Sequence, residues 1–197
     1  MAPRDALLGG IMSKILDMQR QTGFSQTTKR SPEDFYVTPD KAIRALLKRE
    51  KFSGIGWEPA CGNGAITKFF PGIKASDIRT DSDIAGKGGI DFLAVRQKVD
   101  FIITNPPFCL ITEFIEHSLK CAKMKVAIFG RIQLLEGKKR YHLFMKHPPV
   151  RIYVFSSRLN CDPDSFKSRN GGIMCFCWFV WEKGFHGKPT IDWICFK

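Results

Sequence analysis

Phe101-Ile102-Ile103-Thr104-Asn105-Pro106-Pro107-Phe108 joins an apolar run directly to an amide, two prolines and an aromatic ring. A short apolar run bounded by a breaker reads as a buried strand. In open α/β sheets, ligands bind at the carboxyl ends of strands, and Asn105–Phe108 falls at such an end. The Asn105 side-chain oxygen and the Pro106 carbonyl are both hydrogen-bond acceptors. Pro106 and Pro107 restrict the backbone that carries them, and Phe108 offers a flat face. Two acceptors and a stacking face fit a planar exocyclic amine such as N6 of adenine. The lone pair of such an amine is delocalised into its ring. Hydrogen bonds accepted from the NH2 group favour a more tetrahedral nitrogen as the new bond forms, which is help aimed at the transition state. Asn-Pro-Pro by itself is also ordinary turn material, so the surrounding sequence has to decide.

Outward from this stretch, strands and helices alternate. Thr38-Pro39-Asp40 is a helix start with Thr38 as N-cap and Pro39 at the first helical position. Ala42, Ile43, Leu46 and Leu47 then share one helical face. Strands are expected at Ile55–Glu58, Ile73–Ser76, Phe101–Thr104, Val126–Phe129 and Val150–Phe155. Helices are expected at Ala65–Phe70, Ile111–Ala122 and, strongly basic, Leu134–Met145. Arg158–Gly172 is a polar loop. Ile173–Trp181 and Ile191–Cys195 are the last two strands, and their short connection predicts an antiparallel edge pair. The alternation predicts a mostly parallel sheet covered on both faces. Residues 1–30 are polar and basic and read as a flexible arm preceding a single domain, 31–197.

The first strand runs into Glu58-Pro59-Ala60-Cys61-Gly62-Asn63-Gly64. Gly62 and Gly64 let backbone approach a ligand closely. Thr67 stands where a dinucleotide fingerprint has its third glycine. Glu58 at the strand end repels a pyrophosphate and suits a ligand with an α-ammonium group, such as S-adenosylmethionine. Asp77 ends the next strand, where a carboxylate can accept ribose hydroxyls. Asp91-Phe92 is placed to accept from an adenine amine and to pack its ring.

The order Asp34-Phe35-Tyr36-Val37-Thr38-Pro39, then Glu58–Gly64, Asp77, Asp91-Phe92 and Asn105-Pro106-Pro107-Phe108 resembles the N6-adenine DNA methyltransferases, most of all small phage or prophage-encoded members. The resemblance covers residues 31–197. It implies a Rossmann-like methyltransferase domain with a mostly parallel seven-stranded sheet, one antiparallel C-terminal strand, and S-adenosylmethionine as cofactor. It further implies that Phe35, Tyr36 and Thr38 contact the cofactor. Glu58, Ala60, Gly62 and Gly64 would hold the methionine part, Asp77 the ribose, and Asp91 and Phe92 the adenine. Asn105, Pro106, Pro107 and Phe108 would hold the target base. Too few residues separate Gly64 from Asn105, or follow Phe155, to hold a target-recognition domain, so weak sequence selectivity is expected. Phe108 replaces the tyrosine common in DNA-modifying members. Asn-Pro-Pro-Phe also occurs in adenine methyltransferases of structured RNA, and relatives that methylate glutamine in proteins use a nearly identical turn.

Of the 197 residues, 44% are hydrophobic and 25% charged, which is ordinary for a globular protein, so the net charge of +12 stands out. It favours a polyanionic partner, here DNA first and RNA second. Arg131, Lys138, Lys139, Arg140, Lys146 and Arg151 form one basic cluster, and Arg158, Lys167 and Arg169 a second, with Phe166 between them as an anchor or a stacking ring. Such clusters supply affinity through phosphates with little sequence information. An inactive nucleic-acid-binding module would share this surface but need not keep the cofactor residues. Carbon-5 cytosine methylation is disfavoured because the chain has no Pro-Cys dipeptide. Seven cysteines without CxxC spacing read as reduced, mostly buried thiols, and four scattered histidines give no metal-ligand spacing. No apolar run reaches the ~20 residues of a membrane span, and Met1–Gly10 does not read as a secretory signal. A cytoplasmic protein is expected.

Overall fold

The computed structural model describes residues 37–159, 161 and 174–196. The expected arm at 1–30, the proposed cofactor contacts Phe35 and Tyr36, and the loop residues Phe166, Lys167 and Arg169 lie outside the described residues. Helices α1 (Asp40–Leu47), α2 (Ile111–Cys121) and α3 (Lys138–Lys146) combine with seven strands. The strands are β1 (Gly56–Glu58), β2 (Lys74–Ala75), β3 (Val99–Thr104), β4 (Ala122–Arg131), β5 (Arg151–Phe155), β6 (Phe176–Glu182) and β7 (Thr190–Ile194). They form one sheet in the order β2-β1-β3-β4-β6-β5-β7. Strands β2, β1, β3 and β4 pair in parallel, β6 is antiparallel to both neighbours, and β7 returns parallel to β5. The mostly parallel seven-stranded α/β sheet is therefore as expected.

The alternation of side chains along β3 and β4 divides the core in two. Phe101, Ile103, Phe129 and Trp178 pack on the face covered by Ala42, Ile43 and Leu46 of α1. Ile102, Val126, Ile128 and Phe179 pack on the other, under Ile111, Phe114 and Ile115 of α2 and Leu143 of α3. Buried indoles keep a polar partner: Trp178 Nε1 donates to the Ala42 carbonyl at 3.0 Å and Trp181 Nε1 to that of His147 at 2.9 Å.

Four expectations about secondary structure change. Thr38 is not the N-cap: Pro39 holds that position with an extended backbone (φ −64°, ψ 140°), and Asp40 opens the helix, where its charge suits the helix dipole. The helix expected at Ala65–Phe70 shrinks to a 3-10 turn, Thr67–Phe69. Pro71 follows, and a residue before proline is pushed out of the helical region, as the Phe70 backbone shows (φ −129°, ψ 80°). The basic helix Leu134–Met145 is split by Gly137, whose φ of 111° no helix accommodates, into a 3-10 turn and α3.

The last two strands do not pair with each other. Six consecutive residues of β6, Phe176–Trp181, are buried on both faces, so this strand belongs inside the sheet, between β4 and β5. Strand β7, with Ile191 and Trp193 exposed, takes the edge.

At the amino-terminal end of the sheet, Glu50 is a buried carboxylate that accepts from four donors. These are Arg151 Nε, Arg151 Nη2 at 3.1 Å, Lys125 Nζ at 2.6 Å and Tyr153 Oη at 2.8 Å. Burial alone would raise its pKa, but the hydrogen bonds from Arg151, Lys125 and Tyr153 outweigh that and hold it below the ordinary carboxylate value. Arg151 also pairs with Glu182. This corrects the expectation that Arg151 faces nucleic acid: it begins β5, and its guanidinium is committed to two carboxylates.

All seven cysteines are free thiols; Cys61, Cys121, Cys161 and Cys177 are buried and Cys195 is exposed. Among the described residues there is no group of acidic, histidine and cysteine side chains that could hold a metal ion. None of their helices is long and apolar enough to cross a membrane.

Candidate active site

Strands β1 and β3 are parallel neighbours, with Trp57 beside Ile102. The Glu58–Gly64 turn and the Asn105–Phe108 turn therefore leave the same end of the sheet side by side. The first turn is closed by Gly64 N–H donating to the Cys61 carbonyl at 2.8 Å. It needs left-handed backbone at Gly62 (φ 47°) and Gly64 (φ 81°). A Cβ on Gly64 would also meet the Ala85 methyl at 2.6 Å.

Asp77 anchors this turn. Its Oδ2 accepts from Gly62 N–H at 2.8 Å and its Oδ1 from Arg79 N–H at 3.0 Å. Each carboxylate oxygen has a second lone pair, so both can still accept a ligand hydroxyl. Strand β2 brings Asp77 here, because Ser76 N–H donates to the Glu58 carbonyl and Cys61 N–H to that of Ser76, both at 3.0 Å.

Glu58 is 2% exposed and accepts a short hydrogen bond from Thr67 Oγ1. Burial pushes its pKa up to about 8, helped by the nearby Asp77 carboxylate and opposed by the Thr67 hydrogen bond. Sequence reasoning saw Thr67 only as the missing third glycine. That a buried Glu58 requires a donor was the signal for its role.

The donor set fits the cofactor named above. A buried carboxyl group whose ionisation is opposed by burial and by a second acid is stabilised as the anion by a cation, and S-adenosylmethionine carries an α-ammonium and a sulfonium.

Asp91 is exposed, and its Oδ1 accepts from Leu93 N–H at 2.9 Å, starting the 3-10 turn Phe92–Ala94. Phe92 is buried, its ring 5.0 Å from Trp57, 5.1 Å from Phe114 and 4.7 Å from His117. Thr38 is buried and Ala60 half-buried, its methyl against the core under α2.

Asn105, Pro107 and Phe108 are half-buried and Pro106 is buried. Pro107 (φ −52°, ψ 125°) serves as N-cap of a 3-10 turn, Phe108–Leu110, that runs straight into α2. The amide and its two prolines are thus held between a central strand and a helix. Phe108 has neighbours that sequence spacing does not reveal. The Arg131 guanidinium lies over its ring, 4.4 Å from the centroid, and Phe176 is 6.1 Å away. Register explains both contacts: β4 ends at Arg131 beside the carboxyl end of β3, and Arg131 is opposite Phe176.

Among the described residues proposed as phosphate contacts, Arg131 is brought to Phe108. Lys138 and Lys139 are exposed in the first turn of α3, Arg140 donates through Nε to the Glu136 carbonyl, and Arg158 is exposed just after β5.

No family model and no curated protein matches the sequence. Solved structures do resemble it. A protein assigned as a modification subunit of a type I restriction enzyme from Vibrio vulnificus superposes with a TM-score of 0.57 at 10% identity. That match covers 98% of this chain and 53% of the other, so the chain spans about half that subunit's length. A protein assigned as an RNA methyltransferase from Pyrococcus horikoshii gives 0.55 at 12% identity, over 87% of this chain and 99% of that one. The modification protein of the type I restriction enzyme EcoKI gives 0.52 at 16% identity, over 79% and 45%. At such identities the likeness is one of fold: the chain has the seven-stranded α/β architecture of these methyltransferases.

Proposed function

We propose that this protein is an S-adenosylmethionine-dependent methyltransferase that modifies the exocyclic N6 amine of adenine in DNA. The observation that carries the reading is the adjacency of two turns at one end of the sheet. One is the acidic glycine turn after β1, the other Asn105-Pro106-Pro107-Phe108 after β3. When bound, the cofactor supplies an electrophilic methyl group. Glu58 and Asp77 would hold its charged and hydroxyl groups. Asn105 and the Pro106 carbonyl would accept from the target amine and so favour a tetrahedral nitrogen with a free lone pair. The amine proton would pass to solvent water, so no charged base is required. A duplex adenine would be flipped into this site, with phosphate contacts from Arg131, Lys138, Lys139, Arg140 and Arg158. Asp91, Phe92, Phe35, Tyr36 and Thr38 complete the proposed cofactor contacts.

The test is transfer of labelled methyl from S-adenosylmethionine to DNA, RNA and protein side by side, followed by nucleoside and amino-acid analysis. N6-methyladenine in DNA is the expected product, and label confined to glutamine would overturn the proposal. Phe108 in place of tyrosine favours structured RNA as the second substrate.

Asp77→Ala is expected to weaken S-adenosylmethionine binding by roughly 1–3 kcal/mol, the cost of leaving buried polar groups unpaired. Calorimetric titration checks this, and unchanged affinity removes Asp77 from the site.

Glu58 makes binding depend on pH. Its folded value of about 8 lies above the ordinary 4.5. Stability that depends on the protonated form is therefore lost as the pH rises from about 4.5 through about 8. A cationic ligand favours the carboxylate, so binding below about pH 8 releases a proton, and affinity rises with pH up to that value. Titrations in buffers of different ionisation enthalpy read the proton directly. Affinity that is flat between about pH 6 and pH 8, with no proton released, contradicts this role.

A further inference from the structure

At the opposite end of the sheet, the first residues of β4 and the loop after α1 enclose a groove of about 360 Å³. Its rim carries Lys51, Lys123, Lys125 and Lys183, and Phe52 and Met124 line it. Among the described residues, Glu182 is the one carboxylate on the lining, and it is paired with Arg151 and Lys125. Lys125 is further committed to Glu50, and Lys123 lies 3.4 Å from Asp100. Lys51 and Lys183 are exposed and have no carboxylate partner among the described residues; Lys183 Nζ donates to the Leu119 carbonyl at 3.2 Å. Met124 is 43% exposed, and the half-buried Phe52 ring is held by Phe101 and Phe70 at 5.2 and 5.5 Å.

We propose that this groove binds single-stranded nucleic acid, with Lys51 and Lys183 on backbone phosphates and a base against Phe52 and Met124. The charge decides the sign of the ligand. Lysine ammonium groups are point charges that attract phosphate without the bidentate fork by which arginine fixes the geometry of a carboxylate or phosphate. Among the described residues, the groove rim has four lysines and no arginine. The volume falls in the range of small-molecule sites, about 300–1,000 Å³, and so takes one nucleotide unit rather than a helix. The apolar wall argues for a single strand, because bases of an intact duplex are stacked inside it and cannot lie on an aromatic ring. Seven residues of β4 lie between Lys123 and Arg131, about 26 Å of strand at about 3.3 Å per residue, so the groove lies at the opposite end of β4 from the guanidinium that covers Phe108. It is a second site, and it does not rest on methyl transfer.

The test is fluorescence anisotropy with a labelled oligo-dT strand over a series of salt concentrations. The wild type is compared with Lys51→Glu/Lys183→Glu and with a charge-matched control, Lys74→Glu/Arg96→Glu. Each phosphate contact on a single strand contributes about 0.7 to the slope of log affinity against log salt. The groove variant is expected to lose about 1.4 from that slope and about tenfold in affinity at low salt, while the control keeps the wild-type slope. Unchanged binding in the groove variant overturns the proposal. So does an equal loss in the control, an equal loss for duplex DNA, or a loss for polyglutamate alone. The groove variant is expected to keep the wild-type affinity for S-adenosylmethionine in calorimetric titration, which separates this site from the proposed active site.

Discussion

Asn105→Ala is expected to lower methyl transfer to adenine by about 10²-fold or more while leaving S-adenosylmethionine affinity unchanged. Asn105 follows the last residue of β3 and precedes a proline that is buried and a second that caps a turn. Its amide oxygen carries no charge, so it contributes through position alone, and removing one such preorganised partner costs about 2.7–4 kcal/mol in the transition state. Single-turnover transfer of labelled methyl, run beside calorimetric titration of the cofactor, separates the two effects. A variant that methylates at the wild-type rate places the chemistry elsewhere, and one that loses cofactor affinity makes Asn105 a cofactor ligand.

Glu50→Ala is expected to cost about 3–5 kcal/mol of folding stability, the scale for removing one partner of a buried ion pair. The carboxylate joins the loop after α1 to the first residues of β4 and β5, and its loss leaves Arg151, Lys125 and the Tyr153 hydroxyl without their acceptor. Urea denaturation at neutral pH measures the loss. The acid limb gives a second readout. Because Glu50 titrates below the ordinary value of 4.5, its stabilisation is present above that pH and is lost as the pH falls through its lowered folded value. The variant lacks this part of the acid response. A loss below about 1 kcal/mol would mean that solvent replaces the carboxylate at this end of the sheet.

Most strands were legible because they are short apolar runs, several of them followed by a turn former such as Pro59, Asp77, Asn105 or Ser156. Phe101–Thr104 lies within the observed β3, and Val150–Phe155 overlaps β5 closely. Helices were less legible where backbone geometry overrode periodicity. Pro71 and Gly137 each interrupt a pattern whose side chains suit a helix. The place of β6 was readable in principle from its unbroken apolar run, but a short link to β7 suggested a hairpin. Burial of Phe176–Trp181 on both faces outweighed chain proximity.

The sequence by itself determined the two turns of the candidate site, since glycines, prolines, Glu58 and Asn105 act through local backbone and through strand ends. Only the tertiary structure decided which distant residues complete it. Thr67 reaches Glu58, Gly62 hydrogen-bonds Asp77, and Arg131 lies over Phe108. Those contacts follow from parallel pairing of β1 with β2 and β3, and of β3 with β4, and register between strands far apart in sequence leaves no local mark. The same holds for the lysine groove, whose charges come from the loop after α1, the start of β4 and the segment after β6. Strand order gathers them at one end of the sheet, and no single stretch of the chain announces it.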